Sequence, residues 1–584
     1  MCPVSNPTNA TQMRVSVLDC GGSGLELVNA KAGCAPTPHP PQSKTLARLR
    51  FAFVCFVGFV VQNSFATDFA ILKPADFTHH VSRFNAMEDE NFTNTISNAN
   101  SWNWLQKEIP FFECPDKEVE EIYYFRWWSF RKHLVQTTNG WVITEFLTPV
   151  RHAGIYNTIS CAAGFHLAEG RWLRDQTFLN DYTRFWLRGN GGQPQPHFHK
   201  FSSWFESAAY DRFRVNGDKT FLTNLLVDFV ADYRAWENEK LTASGLFWQY
   251  DVRDGMEESI SGSRTNKNLR PTINSYMFGN ARAIAEIARL AGDKKIADEF
   301  EAKAAQLKKL AQENLWNDDA KFFEVRREVG TPASGTARTQ GDLKRAGPEA
   351  DAPFTNVREQ LGFIPWMFGL ADDQKFSAAW AQLGDLQGFA APFGITTAER
   401  RHPQFRSHGV GTCEWDGAVW PFATSQTLYA QANFLRASEA ASRITHHASR
   451  YDYFNTFLTY TRSQHANGQP YIGEYLDEVT GDWINGKGGR SRYYNHSTYA
   501  DLLITGVVGL RPRADDTLEI SPLLPAGVWN YFCLDGVNYH GHTLTIFWDK
   551  DGTRYGHGKG LVVLADGKEI ARSEKLARLE GKLP

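Results

Sequence analysis

The feature that most constrains this chain is a helical rhythm. From about Glu118 to Leu510 apolar residues return every 3.6 positions, and short breaks are marked by Gly, Pro or Asn. A helix with one apolar stripe needs a neighbour on which to bury it, so a long series of them implies helix packed on helix. Residues 220–237, 275–290, 295–315, 422–438 and 451–461 each read as a helix. The pair 275–290 and 295–315, separated by Ala291-Gly292-Asp293, reads as an αα-hairpin with a glycine stop. No tandem motif recurs at the 20–50-residue periods of solenoids, although a ring of hairpins can repeat in structure without repeating in sequence.

After Leu510 the rhythm changes to short alternating or β-branched runs at 517–520, 531–534, 542–548 and 561–564, followed by Asp566-Gly567 as a hairpin turn. The expected fold is therefore mainly α, with a small C-terminal β-domain over 511–584.

The N-terminus shows a different organisation. Lys44, Arg48 and Arg50 precede the apolar run 51–61, which is followed by Ser64-Phe65-Ala66. A basic flank, a short apolar core and a small-x-small end read as a secretory signal peptide over 43–66, cleaved after Ala66. The run falls short of the roughly 20 residues of a membrane span. Export to a bacterial periplasm or the exterior, with no membrane attachment after cleavage, is the expectation. Residues 1–42 mix Pro, Gly, Ser, Thr and Cys without a period, which fits an unstructured stretch or a start codon assigned too far upstream. Residues 67–510 then hold the helical domain with its N-terminal extension.

Of eight cysteines, Cys114, Cys161, Cys413 and Cys533 survive that cleavage, too scattered for a disulfide framework. No Cys/His spacing suggests zinc, and neither metal nor cofactor is expected. A net charge of −3 and the lack of a long Lys/Arg run argue against nucleic acid as a partner. Trp, Tyr and Phe make up 14% of the chain, which suits either sugar-stacking surfaces or simply a large aromatic core. The segment 327–352, rich in Gly, Ala, Thr, Pro and charge, reads as a lid or an insertion.

Three acidic, ring-rich segments without amphipathic period lie between the helices, and in a helical ring such segments are the loops at one end, where function concentrates. The first is 247–264, with Asp251, Asp254, Glu257 and Glu258 close to Trp248 and Tyr250. The second is 411–421, with Trp415, Asp416 and Trp420; the third is 471–496, with Glu474, Tyr475, Tyr494, Asn495 and His496. Glycoside hydrolysis needs one carboxylic acid to protonate the leaving oxygen and a second carboxylate beyond the sugar. The pair stands about 6.5–9.5 Å apart when the second activates water and about 5–5.5 Å apart when it attacks directly. Neighbouring carboxylates and apolar rings keep the acid protonated.

Gly255-Met256-Glu257 followed by Ser259, the Trp-x-Gly-x-x-Trp-Pro of 415–421 and the Glu-Tyr-x-x-x-x-Thr-Gly of 474–481 resemble the six-hairpin glycosidases. These include trehalase, the family 63 glucosidases and the mannosylglycerate-hydrolase-like bacterial proteins. The resemblance runs from about Glu118 to Pro525 and implies an (α/α)6 toroid that hydrolyses a glycosidic bond of an oligo- or polysaccharide with inversion. It implies Glu257 as general acid and Glu474 as general base. The family's acid is usually Asp after Ser-Gly-Met or Ser-Gly-Trp; here it is Glu, with Asp254 in place of the Ser, so Asp254 and Glu258 are rivals. The family's Trp-Arg-Gly is Trp415-Asp416-Gly417, which removes any basis for transferring sugar specificity. Trp128, Arg171, Trp172, Trp248, Tyr250, Arg358, Trp415, Asp416, Trp420, Tyr475, Tyr494, Asn495 and His496 are candidate substrate contacts. Arg126, Trp127, Glu169 and Glu359 flank these positions as weaker candidates, and Asn495 is a candidate cap for a last long helix.

Two other readings remain open. A polysaccharide lyase on a helical toroid would use Tyr494 and His496 with Asn495, Arg492 and His408 around a uronate, and a non-catalytic carbohydrate-binding protein would use the rings alone.

Overall fold

A computed structural model describes residues 69–90, 94–327, 353–409, 411–441, 447–484 and 489–584. The expected leader at 43–66, the stretch 1–42 and nearly all of the segment 327–352 lie outside these residues.

Helices occur where the apolar rhythm predicts them, and local chemistry sets their ends. Helix α1 (Lys117–Lys132) opens on Asp116, whose side chain accepts from the N–H groups of Glu118 and Val119. It is followed by α2 (Ser160–Gly170), α3 (Thr177–Arg188), α4 (Phe205–Asn216), α5 (Leu226–Lys240) and α6 (Pro271–Ala291). Pro271 sits at the first turn of α6, where its missing N–H is not needed, and Gly292 ends the helix at φ 80°. Asp293 then caps α7 (Lys294–Asn314), completing the expected αα-hairpin. The series ends with α8 (Ile364–Met367), a 3-10 helix at Gln374–Gln382, α9 (Pro421–Ala440), α10 (Arg450–Ser463) and α11 (Ala500–Leu502), which runs into a π-helical turn at Leu503–Val508.

Helix contacts close a ring. Helix α2 packs on α4, α4 on α6, α6 on α8, α8 on α9, α9 on α11, and α11 returns to α2. Each of these six inner helices follows an outer element, respectively α1, α3, α5, α7, the 3-10 helix and α10. This is the (α/α)6 toroid. Close approach within the ring depends on small residues: a Cβ on Gly164 of α2 would collide with the Trp204 ring. The core is densely aromatic, with Trp127, Trp128, Trp172, Trp186 and Trp380 almost wholly buried. Most of the ring content therefore serves packing.

Two helical expectations are corrected. Residues 220–237 form two helices, Lys219–Thr223 and α5, because the chain kinks at Asn224 and Leu225. The last helix does not open at 493–496 under an Asn495 cap. It opens at Ala500, where the buried carboxylate of Glu169 on α2 accepts from the N–H groups of Tyr499, Ala500 and Asp501 at 2.9–3.1 Å. A cap carried by another hairpin replaces the local one.

Strand β1 (Phe111–Glu113) precedes the ring, while β2 (Leu510–Arg511), β3 (Thr517–Ile520), β4 (Tyr531–Tyr539), β5 (His542–Asp549), β6 (Gly560–Ala565), β7 (Lys568–Ser573) and β8 (Leu579–Lys582) follow it. The main sheet runs β1-β4-β5-β6-β7 and the smaller one β2-β3-β8, all pairs antiparallel. Phe112 pairs with Leu534, so a strand from before the helices completes the C-terminal sheet. Asp566 and Gly567, at φ 50° and 75°, form the expected two-residue turn, whose positive φ angles match the right-handed twist of the flanking strands.

Candidate active site

Because each inner helix runs antiparallel to its outer partner, every outer-to-inner connection emerges at the same end of the toroid. These connections, 133–159, 189–204, 241–270, 315–363, 383–420 and 464–499, are the long ones, and they carry the acidic, ring-rich segments.

Three carboxyl groups, Glu145, Glu257 and Glu474, belong to these connections and are coupled electrostatically through Glu145. Glu145, in the first connection, is fully buried, and its Oε2 has no hydrogen-bond partner. Burial pushes its pKa well above the usual carboxylate range, and the charges of Glu474 and Glu257 add to the rise against a hydrogen bond from Tyr494. Cys161, at the start of α2, has its thiol pushed up by burial and then by Glu145 and Glu257. Glu145 is therefore within electrostatic reach of both Glu257 and Glu474.

Each is held by its own device. Glu257 stands in a turn between Gly255 at φ 70° and Glu258 at φ 66°, above Met256, which is buried against Arg270 and Thr272. Glu474 accepts a 2.7 Å hydrogen bond from Ser491 Oγ and has Arg490 Nη2 at 3.5 Å. The backbone around Glu145 is clamped by Asn495, which donates through its N–H to Glu145 O at 3.0 Å and through Nδ2 to Thr144 O at 3.2 Å. Two buried imidazoles anchor that clamp. His133 bonds Tyr493 O at 2.7 Å and His166 bonds Asn495 O at 2.6 Å. Burial lowers their pKa values to about 3 and about 4, so both are neutral.

Rings line the adjoining wall. Trp420 stacks between Trp415 at 4.4 Å and Tyr475 at 4.6 Å, and His496 stands edge-on to Tyr494 at 4.0 Å. Burial drives the His496 pKa well down, so this imidazole is neutral as well. The second and third acidic segments are stitched together by reciprocal 3.0 Å bonds between Val419 and Leu476. Arg406 braces the same wall, reaching Glu414 at 2.7 Å, Glu478 at 2.9 Å and Asp477 at 3.4 Å. His408 joins Asp416 at 2.8 Å to Glu258 at 3.7 Å.

The remaining sequence candidates fall elsewhere or are engaged in structure. Asp254 is sealed in an ion pair with Arg270 at 2.6 Å and accepts from Ser202 at 2.7 Å. Glu258 pairs with Arg264 at 2.8 Å. Trp128 is buried, donating to Asn85 at 2.8 Å with Lys132 over its ring. Arg171 and Trp172 both bond Asp501 and lie at the C-terminal end of α2, away from the mouth that holds the carboxyls. Arg126 ties Tyr460, Gln464 and Ser497 together. Arg358 bonds Glu399 and Ala320 O, and Glu359 accepts from Ser261. Trp248 packs on Tyr250 under Lys240 and Lys267. Arg492 is paired with Glu88 at 3.1 Å.

Sequence reasoning missed Glu145, Glu414, Arg490 and Ser491. A carboxylate set between Trp141 and Phe146 in a loop of the first hairpin was the available signal for Glu145. Among the described residues no cluster of His, Cys, Asp and Glu is arranged to hold a metal, Cys114, Cys161, Cys413 and Cys533 are buried and form no disulfide, and no helix is long and apolar enough to cross a membrane.

A six-hairpin ring with a carboxyl cluster in the mouth formed by its outer-to-inner loops defines the six-hairpin glycosidase superfamily. The chain belongs to the family of mannosylglycerate hydrolase MGH1-like glycoside hydrolase domains, whose profile matches residues 155–497. A second profile, the glycosyl hydrolase family 65 C-terminal domain, matches 510–572. A solved structure described as a sialidase is 48% identical, with a TM-score of 0.82 over 89% of this chain and 46% of its own. The present chain thus spans about half the length of that relative. The family 63 mannosylglycerate hydrolase of Thermus thermophilus in complex with glucose is 14% identical, with a TM-score of 0.46 over 66% of this chain and 98% of its own. The α-L-rhamnosidase of Dictyoglumus thermophilum is 12% identical, with a TM-score of 0.47 over 76% and 43%.

Proposed function

We propose that the protein is a glycoside hydrolase, acting on an oligo- or polysaccharide, in which Glu257 protonates the leaving oxygen and Glu474 activates the water that attacks from the other side. The observation that carries this reading is that Glu257 and Glu474, from two different connections, both act electrostatically on the buried Glu145, with the Trp415-Trp420-Tyr475 stack next to Glu474 in the chain. Of the three acidic side chains at 254–258, Asp254 is spent in its buried pair with Arg270 and Glu258 in its link to Arg264. Glu257 is the one of the three whose charge acts on both Glu145 and Cys161. Ser491 donates to Glu474 and Arg490 stands beside it, which orients its carboxyl group as a general base requires. Glu145, kept protonated by burial and its two neighbours, adds a neutral hydrogen-bond donor rather than a third negative charge.

The buried Trp415-Trp420-Tyr475 stack gives the wall rigidity, and the chemistry needs no cofactor. The lyase alternative is disfavoured because Arg492 is held by Glu88, while the Tyr494 hydroxyl is engaged by Glu145. Export from the cell follows from the segment 43–66 alone and is part of the same proposal.

The test begins with a screen of glucosides, mannosides, rhamnosides and sialosides, the last included because the 48% identical relative is described as a sialidase. On the best substrate, NMR immediately after cleavage reads the anomer released. Inversion, with turnover lost in both Glu257→Gln and Glu474→Gln, is the expected result. Initial retention, wild-type turnover in either variant, or ultraviolet absorbance from an unsaturated product would overturn the mechanism.

A further inference from the structure

The toroid has a second mouth, at the C-terminal ends of the inner helices, and there the structure encloses a cavity of about 870 Å3. Its wall is built from α2, α4, α6, α9 and α11, and the segment 511–519 closes one side. This volume lies within the range of roughly 300–1,000 Å3 typical of small-molecule sites. None of the proposed catalytic carboxyls borders it.

Six arginines line this cavity: Arg171, Arg214, Arg282, Arg436, Arg511 and Arg513. Three have carboxylate partners, Arg171 with Asp501 at 2.7 Å, Arg214 with Asp211 at 2.9 Å, and Arg513 with Asp515 at 2.9 Å. The other three do not, among the described residues. Arg282 donates to Phe368 O at 2.9 Å, and Arg436 to Thr505 O at 2.6 Å and Ser521 O at 2.9 Å. The Arg511 side chain makes no hydrogen bond or ion pair among those residues. Carbonyl oxygens orient a guanidinium but do not neutralise it, and a partly buried cation such as Arg436 or Arg511 without an ion-pair partner is costly, whereas Arg282 is exposed. Burial and the nearby Arg214 lower the Arg511 pKa to about 10 against the opposing charges of Glu519 and Asp211, and burial followed by Arg511 itself pushes the Arg436 pKa well down.

We propose that this cavity is an oxyanion-binding site, in which Arg511, supported by Arg436 and Arg282, receives a phosphate, sulfate or carboxylate group. Guanidinium forks match such groups with paired hydrogen bonds, and an anion placed there meets the excess of six arginines over the five carboxylates of the same wall, Asp211, Glu286, Asp501, Asp515 and Glu519. The cavity exceeds the size of a bare inorganic ion, so an ester carried by a sugar fits as well.

Thermal unfolding of the full chain tests the proposal without recourse to activity. Sodium phosphate, sodium sulfate and glucose 6-phosphate are each titrated at constant ionic strength against sodium chloride. A ligand that binds only the folded state raises Tm saturably. The expected result is a rise of a few degrees with at least one oxyanion, absent with chloride, and an apparent affinity at least tenfold weaker in Arg511→Met and in Arg282→Met. Since Arg511 makes no side-chain bond, Arg511→Met should fold and, in chloride alone, unfold at or above the wild-type temperature. A tighter response to glucose 6-phosphate than to phosphate would assign the site to an ester, and the reverse to the free ion. Indifference of the wild type to all three oxyanions, or an unchanged response in both variants, would overturn the inference.

Discussion

Arg270 and Asp254 stand 2.6 Å apart with both side chains shut off from solvent, and Asp254 lies three residues before the side chain proposed as the acid. A pair of this kind fixes position: removing one partner leaves a buried charge uncompensated, which costs about 3–5 kcal/mol. Asp254→Asn is therefore expected to lower stability by about that amount in chemical denaturation, whereas Glu257→Gln, at a half-buried position, stays within about 1 kcal/mol of wild type. Turnover should divide the other way, with Glu257→Gln losing about 10²–10⁴-fold. If Asp254→Asn unfolds at the wild-type midpoint and lacks activity while Glu257→Gln retains it, the two roles are reversed.

Glu145 is the decisive control on that assignment. Its burial and its two acidic neighbours keep it protonated, so Gln is a near-isosteric copy of its working state. Glu145→Gln is expected to keep kcat within about tenfold of wild type, while Glu145→Asp, which withdraws the carboxyl from Tyr494, should lower it more. Steady-state kinetics on one substrate compare the two. A loss for Glu145→Gln as deep as that for Glu257→Gln would make Glu145 the proton donor.

The way these residues come together explains what the sequence does and does not disclose. The helices were legible because each buries one stripe, and 275–290 and 295–315 carry their stop and cap within the hairpin, at Gly292 and Asp293. The break at Asn224 was not, since Leu222, Leu225 and Leu226 keep an apolar rhythm through the kink. The start of α11 was illegible for a different reason: its cap, Glu169, comes from the first inner helix.

The same distinction holds in the mouth of the ring. Glu474 and the rings at 415, 420 and 475 stand in segments dense enough to be noticed one at a time. Glu145 is a single carboxylate in a loop whose position depends on Asn495, from the last connection, and on the neutral His133 and His166 that anchor it. Arg171 and Trp172 resembled an aromatic-basic sugar contact, yet both are drawn to Asp501 at the opposite end. Sequence proximity of charge and ring does not state which end of a helix they occupy.

Ser491 donates to Glu474 at 2.7 Å from a fully buried position, and a hydrogen bond to a charged group is worth about 1.5–3 kcal/mol. Ser491→Ala is expected to reduce kcat by about tenfold or more, with KM changed less than about twofold, because the bond orients the base rather than the sugar. A KM effect with unchanged kcat would instead place Ser491 in substrate binding.

A last prediction concerns stability away from the site. His199 sits against α5, with Nε2 2.5 Å from Asp232 and Nδ1 3.1 Å from Glu239. Burial alone would lower its pKa, but the two carboxylates outweigh it and raise the value from 6.5 to about 9. Asp232 also contributes, after burial, to keeping the neighbouring Glu206 protonated. A raised folded-state pKa means that the folded protein holds the proton more tightly than the unfolded chain. The stabilisation is then complete below about pH 6.5 and disappears as pH rises through about 9. The bond is worth up to roughly 3 kcal/mol by the size of that shift. Urea midpoints of wild type and His199→Gln should therefore differ most near pH 6 and converge by about pH 9.5. A gap that stays constant across that interval would show that His199 contributes by packing against Trp236 and not by its charge.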